Sequence, residues 1–196
     1  MSEGNPPSQN NNQNLKQILF FGDSLTAGYG LPSYQAFPAL IQQKINDQQL
    51  PYHVINAGLS GETSAGGKSR IVSILNQPID VFVLELGIND ILRGITVAET
   101  LNNLQFIIEL AKVMHPDVKM VLLGMELPLF LTGNLLKDFR MIFRQLADKN
   151  NMTLMPFLLL GVAGNRLLNL PDGVHPNAKG YEIIAGNVWQ VLKTVL

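Results

Sequence analysis

Five short apolar runs, each separated from the next by a longer segment of helical period, constrain this chain more than any other feature. Ile18–Phe21, His53–Ala57, Val81–Leu86, Val118–Leu123 and Thr153–Phe157 are rich in β-branched, aromatic and leucine side chains and read as buried strands. Between them, Phe37–Asp47, Ser64–Leu75, Val97–His115 and Leu135–Asn150 repeat apolar residues at three- and four-residue spacing. Thr96 with Glu99 three residues on forms a capping-box pattern at one helix start, and Pro116 ends that helix because it cannot continue it. Pro176–Val195 reads as a closing helix with proline at its first position. Nearly continuous apolar strands alternating with helices predict a parallel sheet covered on both faces. The expected fold class is therefore α/β, a doubly wound three-layer α/β/α domain around a central five-stranded parallel sheet.

Charge and composition remove several functions. Lys+Arg number 14 against 15 Asp+Glu, and no basic block tracks a phosphate backbone, so no nucleic-acid partner is expected. With no cysteine there is no disulfide framework, thiolate nucleophile or Cys-ligated zinc. No apolar run approaches the ~18 residues of a membrane span, and the richest, Val121 to Leu131, is interrupted by Gly124, Glu126 and Pro128. Residues 1–14 are polar, rich in Asn, Gln, Pro and Ser, and read as a disordered tail or linker, leaving 15–196 as one domain. That tail fits either a ragged terminus or a tether from an exported or lipid-anchored protein. The expectation is a periplasmic or cell-envelope protein whose export signal is absent from this chain, with the cytoplasm left open.

Ligands of such sheets bind at the carboxyl ends of the strands. The first strand runs into Gly22-Asp23-Ser24-Leu25, the second into Gly58-Leu59-Ser60-Gly61-Glu62-Thr63, and the third into Gly87-Ile88-Asn89-Asp90. Asp172-Gly173-Val174-His175-Pro176 precedes the last helix. A hydroxyl, an imidazole, a carboxylate and several hydrogen-bond donors form the inventory for acyl transfer through a covalent serine intermediate. Of the three histidines, His53 starts the second strand, on the wrong edge, and His115 has a structural place in the last turn of a helix. His175 remains as the base, with Asp172 near enough in sequence to hold its tautomer. Taken singly, each block also has a plain reading as a turn or cap.

Together the blocks GDSLTAGYG (Gly22–Gly30), NAGLSGETS (Asn56–Ser64), ELGINDILRG (Glu85–Gly94) and DGVHPN (Asp172–Asn177) resemble the SGNH, or GDSL-type, hydrolase family, most of all its bacterial thioesterase, lysophospholipase and arylesterase branch. The resemblance runs from Ile18 to the last helix and implies a flavodoxin-like arrangement. It implies Ser24 as nucleophile, Asp172 and His175 as the rest of a catalytic triad, and Gly61 and Asn89 as oxyanion-hole members beside the Ser24 amide. Gly58 competes with Gly61 for that place. Fixed donors of this kind are what a tetrahedral oxyanion requires. Asp23 and Asp90 are expected to hold the Ser24 and Asn89 loops in position.

No H-x-x-x-H pair, P-loop or G-x-G-x-x-G fingerprint is present, so no metal and no cofactor is expected. Ile91, Leu92 and Arg93, after Asn89, and Leu127, Pro128, Leu129 and Phe130, after the fourth strand, are expected to line a substrate pocket. Arg93 either meets an anionic head group or, preferred here, anchors its own loop. The expected substrate is a small acyl ester or thioester, or a lysophospholipid, with a short-to-medium chain. The enzyme is expected to be a monomer with peripheral lipid contact at most. The alternatives are a carbohydrate O-acetylesterase and a noncatalytic module binding a small anion.

Overall fold

The computed structural model describes residues 15–126 and 134–196. Five strands, β1 (Lys16–Gly22), β2 (Tyr52–Asn56), β3 (Val81–Glu85), β4 (Lys119–Leu123) and β5 (Thr153–Met155), form one sheet in the order β2-β1-β3-β4-β5, all parallel. The helices are α1 (Ser24–Ala27), α2 (Phe37–Asp47), α3 (Ser64–Ile74), α4 (Ile88–Leu92), α5 (Val97–Met114), α6 (Asn134–Asn150) and α7 (Ala178–Leu192), with a 3₁₀ turn at Ser33–Gln35. α2 packs on α7, while α3, α5 and α6 pack in series, so both faces of the sheet are covered. Among the described residues no helix is long and apolar enough to cross a membrane.

Burial explains why the central strands lack an alternating pattern. Ile18 to Phe21 on β1 and Val81 to Leu84 on β3 are fully buried because helices lie on both sides. Each such side chain contributes about 1.5–3 kcal/mol of transfer free energy. Phe20 meets Phe37 of α2 edge-on at 5.4 Å, tying β1 to that helix. The chain turns back past β1 between β2 and β3, so the strand order reverses at the β1/β3 boundary. There the carboxyl ends open a crevice, and Gly22–Ser24 and Gly87–Asn89 stand on either side of it.

Several boundaries differ from those read in the sequence. The last helix begins at Ala178, not Pro176, and ends at Leu192. Pro176 forms an antiparallel bridge with Asn169, and the Asn177 side chain caps the helix by accepting the Gly180 N–H at 3.1 Å. β5 stops at Met155 because Pro156 has no N–H to continue the ladder. The one-turn helices α1 and α4 are too short to show a period. Thr96 does cap α5, its Oγ1 accepting the Glu99 N–H at 3.2 Å. The tail, residues 1–14, lies outside the described residues, as do Leu127, Pro128, Leu129 and Phe130.

Candidate active site

The turn that carries Ser24 is built by its neighbours. Asp23 Oδ1 accepts the Leu25 N–H at 2.9 Å and starts α1, and Gly28, at φ +80°, closes the turn by donating its N–H to the Ser24 carbonyl. Ser24 is thereby raised at the crevice, its Oγ 3.0 Å from His175 Nε2. His175 Nδ1 lies 2.8 Å from Asp172 Oδ2. With Nδ1–H directed at that carboxylate, Nε2 is left to accept the Ser24 hydroxyl proton. His53 is exposed on β2, and His115 Nε2 lies 2.9 Å from the Leu75 carbonyl at the end of α3, so neither reaches Ser24.

Asp172 and His175 form a closed local unit. Asp172 Oδ1 accepts the backbone N–H groups of Val174 (2.9 Å) and His175 (3.0 Å), while Leu170 N–H donates to the His175 carbonyl at 2.7 Å. The His175 and Val174 amides hold the Asp172 carboxyl down at about 2, with the imidazole adding to the effect. Tyr29, half exposed, lays its ring 4.5 Å from the imidazole and fixes its outer face.

The expected oxyanion donors come from three strand ends. Gly61 sits at φ +78°, a left-handed conformation that favours glycine. Neither its N–H nor that of Ser24 meets an acceptor among the described residues. Asn89 is more heavily engaged than its sequence reading suggests. Its Nδ2 donates to Asp23 Oδ2 and to the Glu62 carbonyl, both at 3.0 Å, so a substrate oxygen must share or replace one of these. Arg93 Nη2 donates to the Gly61 carbonyl at 2.8 Å. Arg93 therefore anchors its own loop to the neighbouring glycine turn, while Ile91 is half-buried and Leu92 exposed beside it.

Asp90 is fully buried, accepting the Ser64 N–H at 2.8 Å, the Ser64 hydroxyl, and the Thr100 hydroxyl at 3.3 Å. It joins α4 to α3 and α5. Two further charged groups escaped the sequence reading. Arg70 pairs with the buried Glu62 through Nε at 2.6 Å and through Nη2, donates to the Ala57 carbonyl at 2.7 Å, and covers the Phe21 ring at 4.1 Å. It clamps the turn that carries Gly61. Glu85 ends the otherwise apolar strand β3, fully buried under the Ser24 turn. A lone carboxylate in the run Val81–Leu86 was the signal available for it.

Comparison with known proteins gives the family and the fold. The model of the GDSL-like lipase/acylhydrolase family matches residues 20–183. The chain is 35% identical over 180 residues to the esterase TesA of Pseudomonas aeruginosa, covering 91% of this chain and 89% of that one. It is 34% identical over 169 residues to the thioesterase 1/protease 1/lysophospholipase L1 of Escherichia coli K12, covering 86% and 79%. The crystal structure of the psychrotrophic esterase EstA from a Pseudoalteromonas species, inhibited by monoethylphosphonate, superposes with a TM-score of 0.85 at 31% identity, covering 91% and 97%.

Proposed function

The chain belongs to the GDSL-like lipase/acylhydrolase family and is a carboxylic ester hydrolase, and on that premise we propose that Ser24, His175 and Asp172 carry the reaction through an acyl-enzyme. The observation that supports this reading is the unbroken chain from Ser24 Oγ to His175 Nε2 at 3.0 Å and from Nδ1 to Asp172 at 2.8 Å.

Ser24 Oγ bonds to the acyl carbon as its proton passes to His175 Nε2, and the carbonyl electron pair moves onto oxygen. The Ser24 and Gly61 N–H groups and the Asn89 amide receive that oxyanion. When it collapses, the bond to the leaving oxygen or sulfur breaks, and the imidazolium gives its proton to the departing alcohol or thiol. Water then attacks the acyl-enzyme, losing a proton to Nε2, and a second collapse frees the acid and returns the proton to Ser24. Asp172 stays ionised throughout and stabilises the imidazolium.

The substrate class is an ester with a neutral acyl chain of short-to-medium length, extending to thioesters and lysophospholipids as in the E. coli relative's name. Leu59 and Leu92, both more than half exposed beside the oxyanion turns, give the acyl chain an apolar surface. The same reading takes residues 15–196 as the catalytic domain, monomeric, in the periplasm or cell envelope, meeting lipid only peripherally. Gel filtration tests the monomer and cell fractionation the location. The central test is labelling by a fluorophosphonate alongside p-nitrophenyl esters and acyl-CoA thioesters of graded length, with Ser24→Ala as control. Labelling at Ser24 and turnover lost in Ser24→Ala are expected; an unlabelled, inactive native chain would leave only an anion-binding module.

A further inference from the structure

Beneath the Ser24 turn two carboxyl groups meet. Glu85, 1% exposed, accepts the Asp23 N–H at 3.1 Å and the Thr26 hydroxyl at 2.8 Å, both on Oε2. The carboxyl of Asp23, fully buried, shares this desolvated site, its own backbone N–H being the one held by Glu85. Asp23 in turn holds the Leu25 N–H on Oδ1 and the Asn89 amide on Oδ2. Space for the Glu85 head group is reserved by Gly22, where a β-carbon would lie 2.6 Å from Oε2.

No cation among the described residues pairs with either carboxyl. Arg70, from α3, comes as near as the Gly22 carbonyl at 3.5 Å, but its charge is committed to Glu62. From α7, Tyr181 faces the pair with a phenol that donates to the Leu25 carbonyl at 3.0 Å, and its proton is held more tightly by burial and by the two carboxyls. His175 acts on Asp23 across the crevice. Two carboxyl groups that share a desolvated site with no cation between them do not both stay ionised, so one of them holds a proton.

We propose that Glu85 is a positioning residue held as a neutral carboxylic acid, whose O–H donates to the Asp23 carboxylate and so orients both the Ser24 turn and the Asn89 amide. Burial, then the Asp23 charge, push the Glu85 carboxyl well above its ordinary value, whereas Asp23, raised by burial to about 6, is held back first by the Leu25 N–H that it accepts. Among the described residues Asp23 accepts an N–H on each of its oxygens while both donors to Glu85 meet Oε2, so the proton belongs to Glu85 at neutral pH. The inference rests on the roles given above to Ser24 and Asn89.

Two variants and one titration test it. Glu85→Met fills the space but offers neither donor nor a good acceptor, and kcat is expected to fall about 10–100-fold with KM changed less than about threefold. Glu85→Gln supplies an N–H to Asp23 and a carbonyl to Thr26, and is expected to turn over at least about tenfold faster than Glu85→Met. A residue that only fills volume would show the opposite order. In the native chain the ¹³C resonance of the Glu85 carboxyl, assigned by its loss in Glu85→Gln, is expected at the neutral-acid position at pH 7. A carboxylate position at pH 7 overturns the proposal. So does a folded Glu85→Gln no faster than Glu85→Met, or a Glu85→Met as fast as the native chain. Should either variant fail to fold, the native resonance decides. If the native chain hydrolyses no ester, the reading of the site fails instead, and the resonance still reports where the proton sits.

Discussion

Gly22 and Glu85 are register partners across β1 and β3, and the Glu85 head group occupies the space that a side chain on residue 22 would need. A β-carbon there would stand 2.7 Å from the Glu85 carbonyl, which is strand backbone, and would also strike the Thr26 hydroxyl. Gly22→Ala is therefore expected to cost about 1–3 kcal/mol by overpacking. The urea midpoint should fall while the m-value holds, and kcat should fall with it because Ser24 is two residues away. An unchanged midpoint would show that the strands can part here.

Asn89 is expected to act on the transition state more than on binding. Asn89→Ala should lower kcat about 10²–10³-fold with KM little changed. Steady-state kinetics on a soluble p-nitrophenyl ester measure both. Full turnover in the variant would remove Asn89 from the oxyanion site and leave it as a tie between Asp23 and Glu62.

Asp172 provides the pH prediction. Its folded value, about 2, lies below the ordinary 3.8, so its contribution to stability is complete above about pH 4 and is lost as pH falls through the folded value. Asp172→Asn should remove that part of the fall in Tm between about pH 4 and 2, an effect kept small by solvent because the side chain is 39% exposed. Kinetically, the same variant should lose about 10³–10⁴ in kcat because the imidazole tautomer is no longer set. A Tm profile parallel to that of the native chain would separate Asp172 from the acid transition.

Tyr29 packs its ring against His175 while remaining half exposed. Removing such an aromatic contact costs about 0.5–1.5 kcal/mol, so Tyr29→Ala should lower kcat/KM about two- to tenfold. Tyr29→Phe should keep the native value, since the ring and not the hydroxyl makes the contact. Equal losses in both variants would assign the effect to the hydroxyl.

Local patterns carried a good part of this protein. Phe37–Asp47 is a helix over the span its periodicity marked, Thr96 caps α5, and the all-apolar runs of β1 and β3 are the buried centre of a parallel sheet. Asp172 and His175 were legible as a pair because their contact closes within a four-residue turn. Pro176 misled because it joins a bridge to Asn169, seven residues back, which no local rule reveals.

What the amino-acid order determined by itself was the alternation of strands and helices and the residue types delivered to one edge of the sheet. Only the tertiary structure decided that Arg93 ties down the Gly61 turn, that Arg70 closes on Glu62 beneath it, and that Asn89 is already bound on two sides. It alone put Glu85 against Asp23, 62 residues away in sequence. Periodicity and capping follow from backbone geometry within a few residues, whereas the partners and protonation of a buried charge depend on which remote strand end the folded sheet brings beside it.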